Sequence, residues 1–214
     1  MLVKDVMTKN PVTVTTGVSI PEVKGLMSQK HVSKLPVLDK NGALVGLITE
    51  SDLIKASPSE ATTLDMFELS YLLSKLTVEK TMVKKVITVI ESEPVEEAAR
   101  LMDDMDVGCL PVLRNGLVVG IITEKDLFRS FVNMFGTRHA GVRATFIMSD
   151  KPGDLANFTK ILAENKANIV SLVTSDVEDE SCRKVTMRVT DIELSALEKI
   201  IHDSNLKLED IRNV

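Results

Sequence analysis

The chain has 214 residues, 44% of them hydrophobic and 27% charged, which is the composition of an ordinary folded globular protein. Its formal net charge of −5 argues against a nucleic-acid surface, because affinity for a phosphate backbone needs clustered lysine and arginine. No apolar run approaches the roughly 18 residues of a membrane span, and the first residues do not resemble a secretory signal. Neither cysteine belongs to a metal-binding pattern, so we expect reduced thiols in a cytoplasmic protein.

Residues 1–56 predict the element order β-α-β-β-α. A short β-rich stretch at 12–14 precedes an amphipathic helix whose apolar side chains recur at helical spacing. Two apolar strands, LPVL and ALVGLIT, follow and are joined by Asn41-Gly42, a dipeptide that favours a hairpin because both residues tolerate positive φ. The second helix begins at the letters TESDL, since threonine followed three residues later by an acid is a helix start signal.

Residues 78–135 repeat this order closely. The stretch LVGLITESDLIKA (44–56) returns as VVGIITEKDLFRS (118–130), with an offset of 74 residues between Gly46 and Gly120. The offset between Met27 and Met102 is 75, so one residue is deleted in the turn before Gly116. Deletions fall in turns, which supports a strand-turn-strand structure there. The chain therefore contains two copies of one structural unit.

The duplicated threonine and aspartate have two interpretations. Thr49 and Thr123 are good N-caps, and Asp52 and Asp126 would then satisfy backbone donors of the first helical turn. Capping does not account for the glycine three residues before each threonine, or for a proline at the same place in each copy. The alternative is a ligand cleft, in which glycine lets a ligand approach the backbone, threonine and the helix N-terminus bind phosphate, and aspartate accepts from ribose hydroxyls.

Residues 57–77 connect the two copies. Their leucines, together with Phe67 and Tyr71, predict a helix with an apolar face. A bare linker would be more polar, so we expect this helical connector to pack on its own module or on another subunit.

The pattern of the repeat ends at residue 135, and residues 136–141 form a linker with glycine at both ends. Beyond the linker, residues 142–214 predict the order β-α-β-β-α-β, a split βαβ sandwich of the ferredoxin-like type. Its predicted helices carry Leu, Phe and Ile at helical spacing, and its first strand alternates apolar and polar residues. The whole chain is therefore predicted to be a mixed α/β (α+β) protein.

The twice-repeated order β-α-β-β-α, closed each time by glycine, two apolar residues, threonine and aspartate, resembles a pair of cystathionine-β-synthase (CBS) domains, the Bateman module. The resemblance covers residues 1–135. It implies that the copies pack pseudo-symmetrically through their sheets and form two clefts for adenine nucleotides or related adenosyl compounds. These would be regulatory ligands and not required cofactors. It also implies a homo-oligomer, either a dimer or a tetramer.

The same resemblance assigns residues to the two clefts. Thr49 and Thr123 would contact phosphate or ribose, and Asp52 and Asp126 would hold ribose hydroxyls. Because the family's sites are typically composite, the acid of one copy can serve a base held by the other. The nucleotide-binding residues implied in this way are Thr13, Val32, Ser33, Lys34, Pro36, Gly46, Thr49 and Asp52 in the first copy, and Thr88, Val107, Gly108, Pro111, Gly120, Thr123 and Asp126 in the second.

The two copies are not equivalent around their clefts. His31 and Lys34 of the first copy stand where the second has Asp106 and Cys109. We expect a polyphosphate to prefer the cleft that Lys34 lines, because an ammonium group attracts phosphate. For both His31 and Lys34, a solvated surface position is the alternative.

The C-terminal order, with the letters D-x-P-G-x-L at 150–155, resembles an ACT domain. Members of that family bind small ligands, often amino acids, near this glycine and commonly at a subunit interface. The resemblance assigns such a site to Asp150, Gly153 and Asn168; a tight turn and an ordinary strand-start asparagine are the alternative. Two CBS copies followed by an ACT-like domain resemble the acetoin utilization protein B group, whose name records a pathway and not a chemistry.

Regulatory folds account for every segment, and the three histidines lie in separate segments without a recognised catalytic or metal motif. We therefore expect a stand-alone sensor, not an enzyme, that needs no metal and regulates an unidentified partner protein. Two alternatives stay open. One is a structural oligomerisation protein that binds no ligand, and the other is a weak enzyme acting on a bound nucleotide.

Overall fold

The structure is a computed structural model, and it describes residues 1–56 and 75–214. These form two compact units, Met1–Leu127 and Phe128–Val214. The first unit contains helices α1 (Val3–Val6), α2 (Ile20–Lys30), α3 (Glu50–Ala56), α4 (Val78–Thr81) and α5 (Val95–Asp104), and strands β1 (Thr8–Lys9), β2 (Val14–Thr15), β3 (Lys34–Leu38), β4 (Leu44–Thr49), β5 (Val89–Ile90), β6 (Cys109–Arg114) and β7 (Leu117–Thr123). Helix α6 (Glu124–Met134) begins in the first unit and ends in the second.

Each copy of the repeat forms a small mixed sheet covered by its helices. In the first copy β2 is parallel to β3, and β3 is antiparallel to β4; in the second copy β5, β6 and β7 are paired in the same way. The apolar face of α2 is buried through Val23 and Met27, as its helical spacing predicted. Ser19 and Glu22 form a capping box that fixes where this helix begins.

The two hairpins differ as the one-residue deletion predicted. In the second copy both turn residues, Asn115 and Gly116, have positive φ, at 51° and 80°. In the first copy only Gly42 does, at 83°, and the longer loop is closed by the carboxylate of Asp39, which accepts from the N–H groups of Asn41 and Ala43 at 2.8 and 2.9 Å. An aspartate that bonds its own loop in this way is a common turn device.

The segments that lead into the two copies are exchanged between them. Helix α1 and strand β1 form the start of the first copy in sequence, yet Val3 and Met7 are buried in the core of the second copy, and β1 pairs with β7. Conversely, Val78 of α4, at the start of the second copy, is buried in the core of the first. Each core is therefore completed by residues from the start of the other copy.

Two methionines of these leading segments lie against the duplicated glycines. A β-carbon added at Gly46 would lie 2.3 Å from the sulfur of Met82, and one added at Gly120 would lie 2.3 Å from the sulfur of Met7. Such distances are far inside van der Waals contact, so only glycine leaves room for the methionine. The duplicated glycine is thus explained by packing between the copies.

The exchange bears on the predicted domain boundaries. The copies 1–56 and 78–135 are units of sequence, but the leading residues of each lie in the core of the other. Most of the predicted helical connector, residues 57–74, lies outside the described residues; Leu76, at its end, packs against the core of the first copy. The boundaries themselves, including the linker 136–141, stay a prediction.

The second unit has the predicted βαββαβ order. Its elements are β8 (Val142–Ser149), α7 (Asp154–Glu164), β9 (Asn168–Asp176), β10 (Cys182–Thr190), α8 (Leu194–Asp203) and β11 (Lys207–Asn213), and the antiparallel sheet has the order β11-β8-β10-β9. Phe146 of the sheet packs against Phe158 of α7, with ring centroids 4.9 Å apart, in a core that also buries Leu197 of α8. The mixed α/β class is confirmed for both units.

Among the residues that the structure describes, no helix combines the length and the apolar character that a membrane crossing requires.

We predict that Gly46→Ala lowers the free energy of unfolding by about 1–3 kcal/mol, because the new methyl group must displace Met82 and the backbone oxygen of Val83, 3.1 Å away. Urea unfolding followed by circular dichroism measures the change. Gly25→Ala is the matched control: nothing lies within 4 Å of its added carbon, and alanine in the middle of α2 should stabilise by about 0.5–1 kcal/mol. Equal stability of Gly46→Ala and the natural chain would contradict the packing role of this glycine.

Candidate functional site

The threonine and aspartate of each copy lie where a strand passes into a helix. In the first copy β4 ends at Thr49, whose N–H and hydroxyl both donate to one carboxylate oxygen of Asp52, at 2.9 and 2.7 Å. The N–H of Asp52 donates back to the hydroxyl of Thr49 at 3.3 Å. We call this strand end the first cleft. The reciprocal bonds show that the pair caps α3.

The second copy repeats this arrangement, and we call its strand end the second cleft. The N–H and hydroxyl of Thr123 donate to one carboxylate oxygen of Asp126 at 3.0 and 2.8 Å. Asp126 is only 6% exposed, and it lies in the first turn of α6. The capping alternative is therefore realised in both copies. A capping carboxylate keeps lone pairs for other donors, so the ligand role of these residues stays a prediction.

Antiparallel pairing brings further predicted residues to the same strand ends. Lys34 is paired with Thr49, and the carbonyl of Ser33 accepts from the N–H of Glu50 at 2.9 Å. In the second copy Cys109 is paired with Thr123, and the carbonyl of Gly108 accepts from the N–H of Glu124 at 3.4 Å. The sheets thus gather these residues around the start of α3 and of α6.

The remaining predicted nucleotide contacts lie on the elements that flank these ends. Pro36 and Pro111 are buried in β3 and β6, beside the strands that hold the duplicated glycines. Val32 and Val107 follow the helices α2 and α5, and the N–H of each donates to a methionine carbonyl at 3.0 Å. Thr13 and Thr88 come directly before β2 and β5 and are half-buried.

Lys34 connects the two copies. Its ammonium group donates to the carbonyl of Gly108 at 2.5 Å, although its backbone belongs to the first copy. A β-carbon built at Gly108 would lie 3.0 Å from both this ammonium group and the carboxylate of Glu124. The side chain that the sequence placed near the first cleft therefore extends to the helix start of the second cleft.

Cys109 occupies the position in the second copy that Lys34 has in the first. It is 5% exposed, and burial raises the pKa of its thiol. Lys34 opposes this rise in pKa because an ammonium group favours the thiolate, whereas Glu124 adds to it. The thiol is therefore protonated near neutral pH and puts no charge into the site.

The sequence did not single out the basic residues beside Asp52. A groove of about 350 Å³ is lined by Asp52 and by Lys55 and Lys80. Lys80 belongs to α4, so only the exchange of the leading segments brings it here. A larger groove of about 670 Å³ lies between α2 and α3, and its lining includes His31, Val32, Ser33, Glu50 and Ile54.

The three residues predicted for an ACT ligand do not all meet. Asp150 follows β8, and its carboxylate accepts from the guanidinium of Arg183 at 2.9 Å; Gly153, with a φ of 98°, immediately precedes α7 in open space. Asn168 pairs with Thr190 at the opposite end of the sheet. The length of β8 separates the two ends by about 23 Å, so a site in one chain can use Asp150 and Gly153 but not Asn168 with them.

Comparison with known proteins gives two domain matches. The profile of the CBS domain matches residues 3–59 and 78–133, and the profile of a TTHA0829-like ACT domain matches residues 140–212. The first two ranges together are more than half of the chain, and they coincide with the two copies of the repeat.

Two solved structures share the fold of the paired copies. A CBS domain pair in complex with 5′-methylthioadenosine and S-adenosyl-L-methionine is 33% identical, with a TM-score of 0.52, over 65% of this chain and 98% of that one. A Vibrio cholerae protein named for acetoin utilization is 28% identical, with a TM-score of 0.53, over 64% of this chain and 95% of that one.

Several curated relatives are much longer than the matched region. The L-aspartate semialdehyde sulfurtransferase of Methanocaldococcus jannaschii is 34% identical over 131 residues, which are 61% of this chain but only 23% of that enzyme. The chain therefore spans less than a quarter of that relative. Most of the named enzyme lies outside the matched region.

We predict that the two thiols differ sharply in reactivity. In the native protein Ellman's reagent should modify Cys182, which is partly exposed, and leave Cys109 unmodified near neutral pH because this thiol is buried and protonated. Unfolding in guanidinium should release the second thiol. Cys182→Ser should remove the reaction of the native protein and keep the thiol that reacts only after unfolding. Two thiols reacting at one rate in the native state would contradict the buried placement of Cys109.

Proposed function

Because the chain belongs to the CBS-domain family and carries an ACT domain after its paired CBS copies, we propose that it is a regulatory sensor of adenosine compounds. The ligand would be an adenine nucleotide or a related adenosyl compound, bound at the first and second clefts. The observation that carries the proposal is the duplicated threonine and aspartate pair, held at both strand ends in the same geometry.

The chemistry of these pairs suits a ribose phosphate. A carboxylate held in the first turn of a helix can accept from ribose hydroxyls, and threonine hydroxyls and first-turn N–H groups can donate to phosphate. The solved CBS pair with 5′-methylthioadenosine and S-adenosyl-L-methionine supports adenosyl ligands for the same fold. Binding would regulate a partner only if one arrangement of the paired copies binds the ligand better than another.

The ACT domain supports a second ligand, an amino acid or another small molecule. Gly153 leaves open space before α7, and Asp150 lies beside it with Arg183. The likeness to the Vibrio cholerae protein supports acetoin utilization as the regulated pathway. Both are parts of the proposal, and the regulated protein would be a separate chain.

We predict that AMP, ATP, 5′-methylthioadenosine or S-adenosylmethionine raises the melting temperature of the purified chain. A ligand at a hundred times its Kd stabilises the folded state by about 2.7 kcal/mol, provided that it does not bind the unfolded chain. The double variant Asp52→Asn/Asp126→Asn should lose the shift. Asparagine is preferred to alanine because its side-chain oxygen can still accept from the N–H of Thr49 or Thr123, which keeps the helix starts.

The matched control is Asp103→Asn, an exposed acid near the end of α5, which should keep the full shift. An amino-acid panel in the same screen tests the ACT domain. A melting temperature unchanged by every adenosine compound would contradict the sensor proposal and favour a purely structural protein. Turnover of a nucleotide would favour an enzyme instead.

Self-association is the second part of the proposal. Ile54 of α3 and Phe128 of α6 hold corresponding places in the two copies and are 69% and 72% exposed. Large apolar side chains at matching, solvent-facing positions favour an interface between copies of the chain.

We predict that the natural chain sediments as a dimer or tetramer and that Ile54→Ser/Phe128→Ser shifts it toward monomer, because the interface loses its apolar anchors. Sedimentation velocity measures the shift. Ile90→Ser, at an exposed apolar residue of β5, is the control and should leave the oligomer intact. A monomeric natural chain at high concentration would refute this part of the proposal.

A further inference from the structure

The two clefts have the same acids but differ in the basic residues at their helix starts. Each cleft has a glutamate at the first position of the helix and an aspartate two residues later. Between these acids the first cleft has Ser51, and the second has Lys125. Beside these helix starts, Lys34 of the first copy corresponds to Cys109 of the second. The duplication therefore preserved the acids and changed the cations.

The structure shows which cleft receives the ammonium group of Lys34. This group lies 2.5 Å from the carbonyl of Gly108, which also accepts from the N–H of Glu124, the first residue of α6. It is thus placed at the helix whose first turn carries Lys125 and Asp126. Cys109, which holds the corresponding position in the second copy, is buried and carries no ammonium group.

We infer that the second cleft selects adenosine ligands with a 5′-phosphate, through Lys34 and Lys125, and that the first cleft prefers adenosyl ligands without one. This inference rests on the proposed function, because it divides one ligand class between the two sites. Lys34 is the specificity-determining residue, and it acts on a ligand held mainly by the other copy of the repeat.

The physical basis is charge. A 5′-phosphate carries between one and two negative charges near neutral pH, and ammonium groups donate charge-assisted hydrogen bonds to its oxygens. S-adenosylmethionine carries a positive sulfonium at the same end of the adenosine, so ammonium groups repel it. 5′-Methylthioadenosine is neutral there and gains nothing from them. At the first cleft the residue that corresponds to Lys125 is an uncharged serine, Ser51, which suits these two ligands.

Other basic residues could reverse this assignment. Lys55 and Lys80 line the groove beside Asp52, and Lys24 and His31 line the groove that includes Glu50, so the first cleft has basic residues of its own. Lys55 lies in the last turn of α3, whereas Lys125 lies in the first turn of α6. A cation at the start of a helix lies beside the threonine hydroxyl and the N–H groups that suit a phosphate, whereas a cation in the last turn does not. We therefore assign the phosphate preference to the second cleft and use Lys80 to test the opposite assignment.

The experiment is isothermal titration calorimetry of the full chain with one cleft disabled at a time. Asp52→Asn leaves the second cleft intact, and Asp126→Asn leaves the first. We expect AMP to bind the Asp52→Asn protein at least tenfold more tightly than the Asp126→Asn protein, and S-adenosylmethionine to show the opposite preference. Raising the salt concentration should weaken the binding of AMP and leave that of 5′-methylthioadenosine unchanged.

Variants of Lys34 then identify the selecting group. In the Asp52→Asn protein, Lys34→Met should weaken AMP about tenfold, the effect of one lost charge-assisted hydrogen bond, without weakening S-adenosylmethionine. Lys34→Arg keeps the charge and should retain most of the AMP affinity. Lys40→Met, at an exposed residue of the hairpin loop, is the matched control and should bind AMP as before. Lys125→Ser, at an exposed site that cannot disturb the core, repeats the test if Lys34→Met does not fold.

Three outcomes overturn the inference. They are a preference of AMP for the first cleft, unchanged AMP binding in both Lys34→Met and Lys125→Ser, and a loss of AMP binding in Lys80→Met while Lys34→Met retains it. Each of these still requires that adenosine compounds bind. Failure of the proposed function looks different, because then no adenosine compound binds the natural chain at all.

Discussion

The reciprocal exchange of leading segments is the constraint on which the first unit depends. Val3, at the start of the first copy, is fully buried in the core of the second, and Val78, at the start of the second copy, is fully buried in the core of the first. Met7 fills the space in front of Gly120, and Met82 fills the space in front of Gly46. Neither copy can complete its core alone, since each would lose a buried helix and leave a cavity. The same exchange places Lys80 in the groove beside Asp52, and across the two copies Lys34 donates to the carbonyl of Gly108.

The candidate clefts show how one residue pair can have a structural and a chemical role together. Thr49 with Asp52, and Thr123 with Asp126, satisfy backbone donors that every helix start leaves open. A carboxylate oxygen used for capping is already ordered, so a ligand hydroxyl that approaches it meets a fixed acceptor. Preorganisation of this kind favours binding because little side-chain freedom remains to be lost. Capping and ligand binding are therefore compatible uses of one motif.

The sequence predicted most of the fold and part of the site. Hydrophobic periodicity, Asn-Gly turns and helix start signals are local properties, so the β-α-β-β-α order of both copies and the order of the βαββαβ unit could be predicted, whereas the short leading elements α1, β1 and α4 were missed. The role of the glycines could not be read, because Gly46 meets a methionine 36 residues away. Nor could the separation of Asn168 from Asp150, which depends on the strand order β11-β8-β10-β9.

By itself, the sequence determined that one unit is used twice, that each use ends in threonine and aspartate at a strand-to-helix junction, and that the copies differ at Lys34 and Cys109. Only the tertiary structure decided that Lys34 reaches the helix start of the other copy and that the segment leading into each copy completes its partner's core. The reason is physical. Capping and turn formation act over three or four residues, whereas a lysine side chain and a buried methionine find partners that only the packed chain brings within reach.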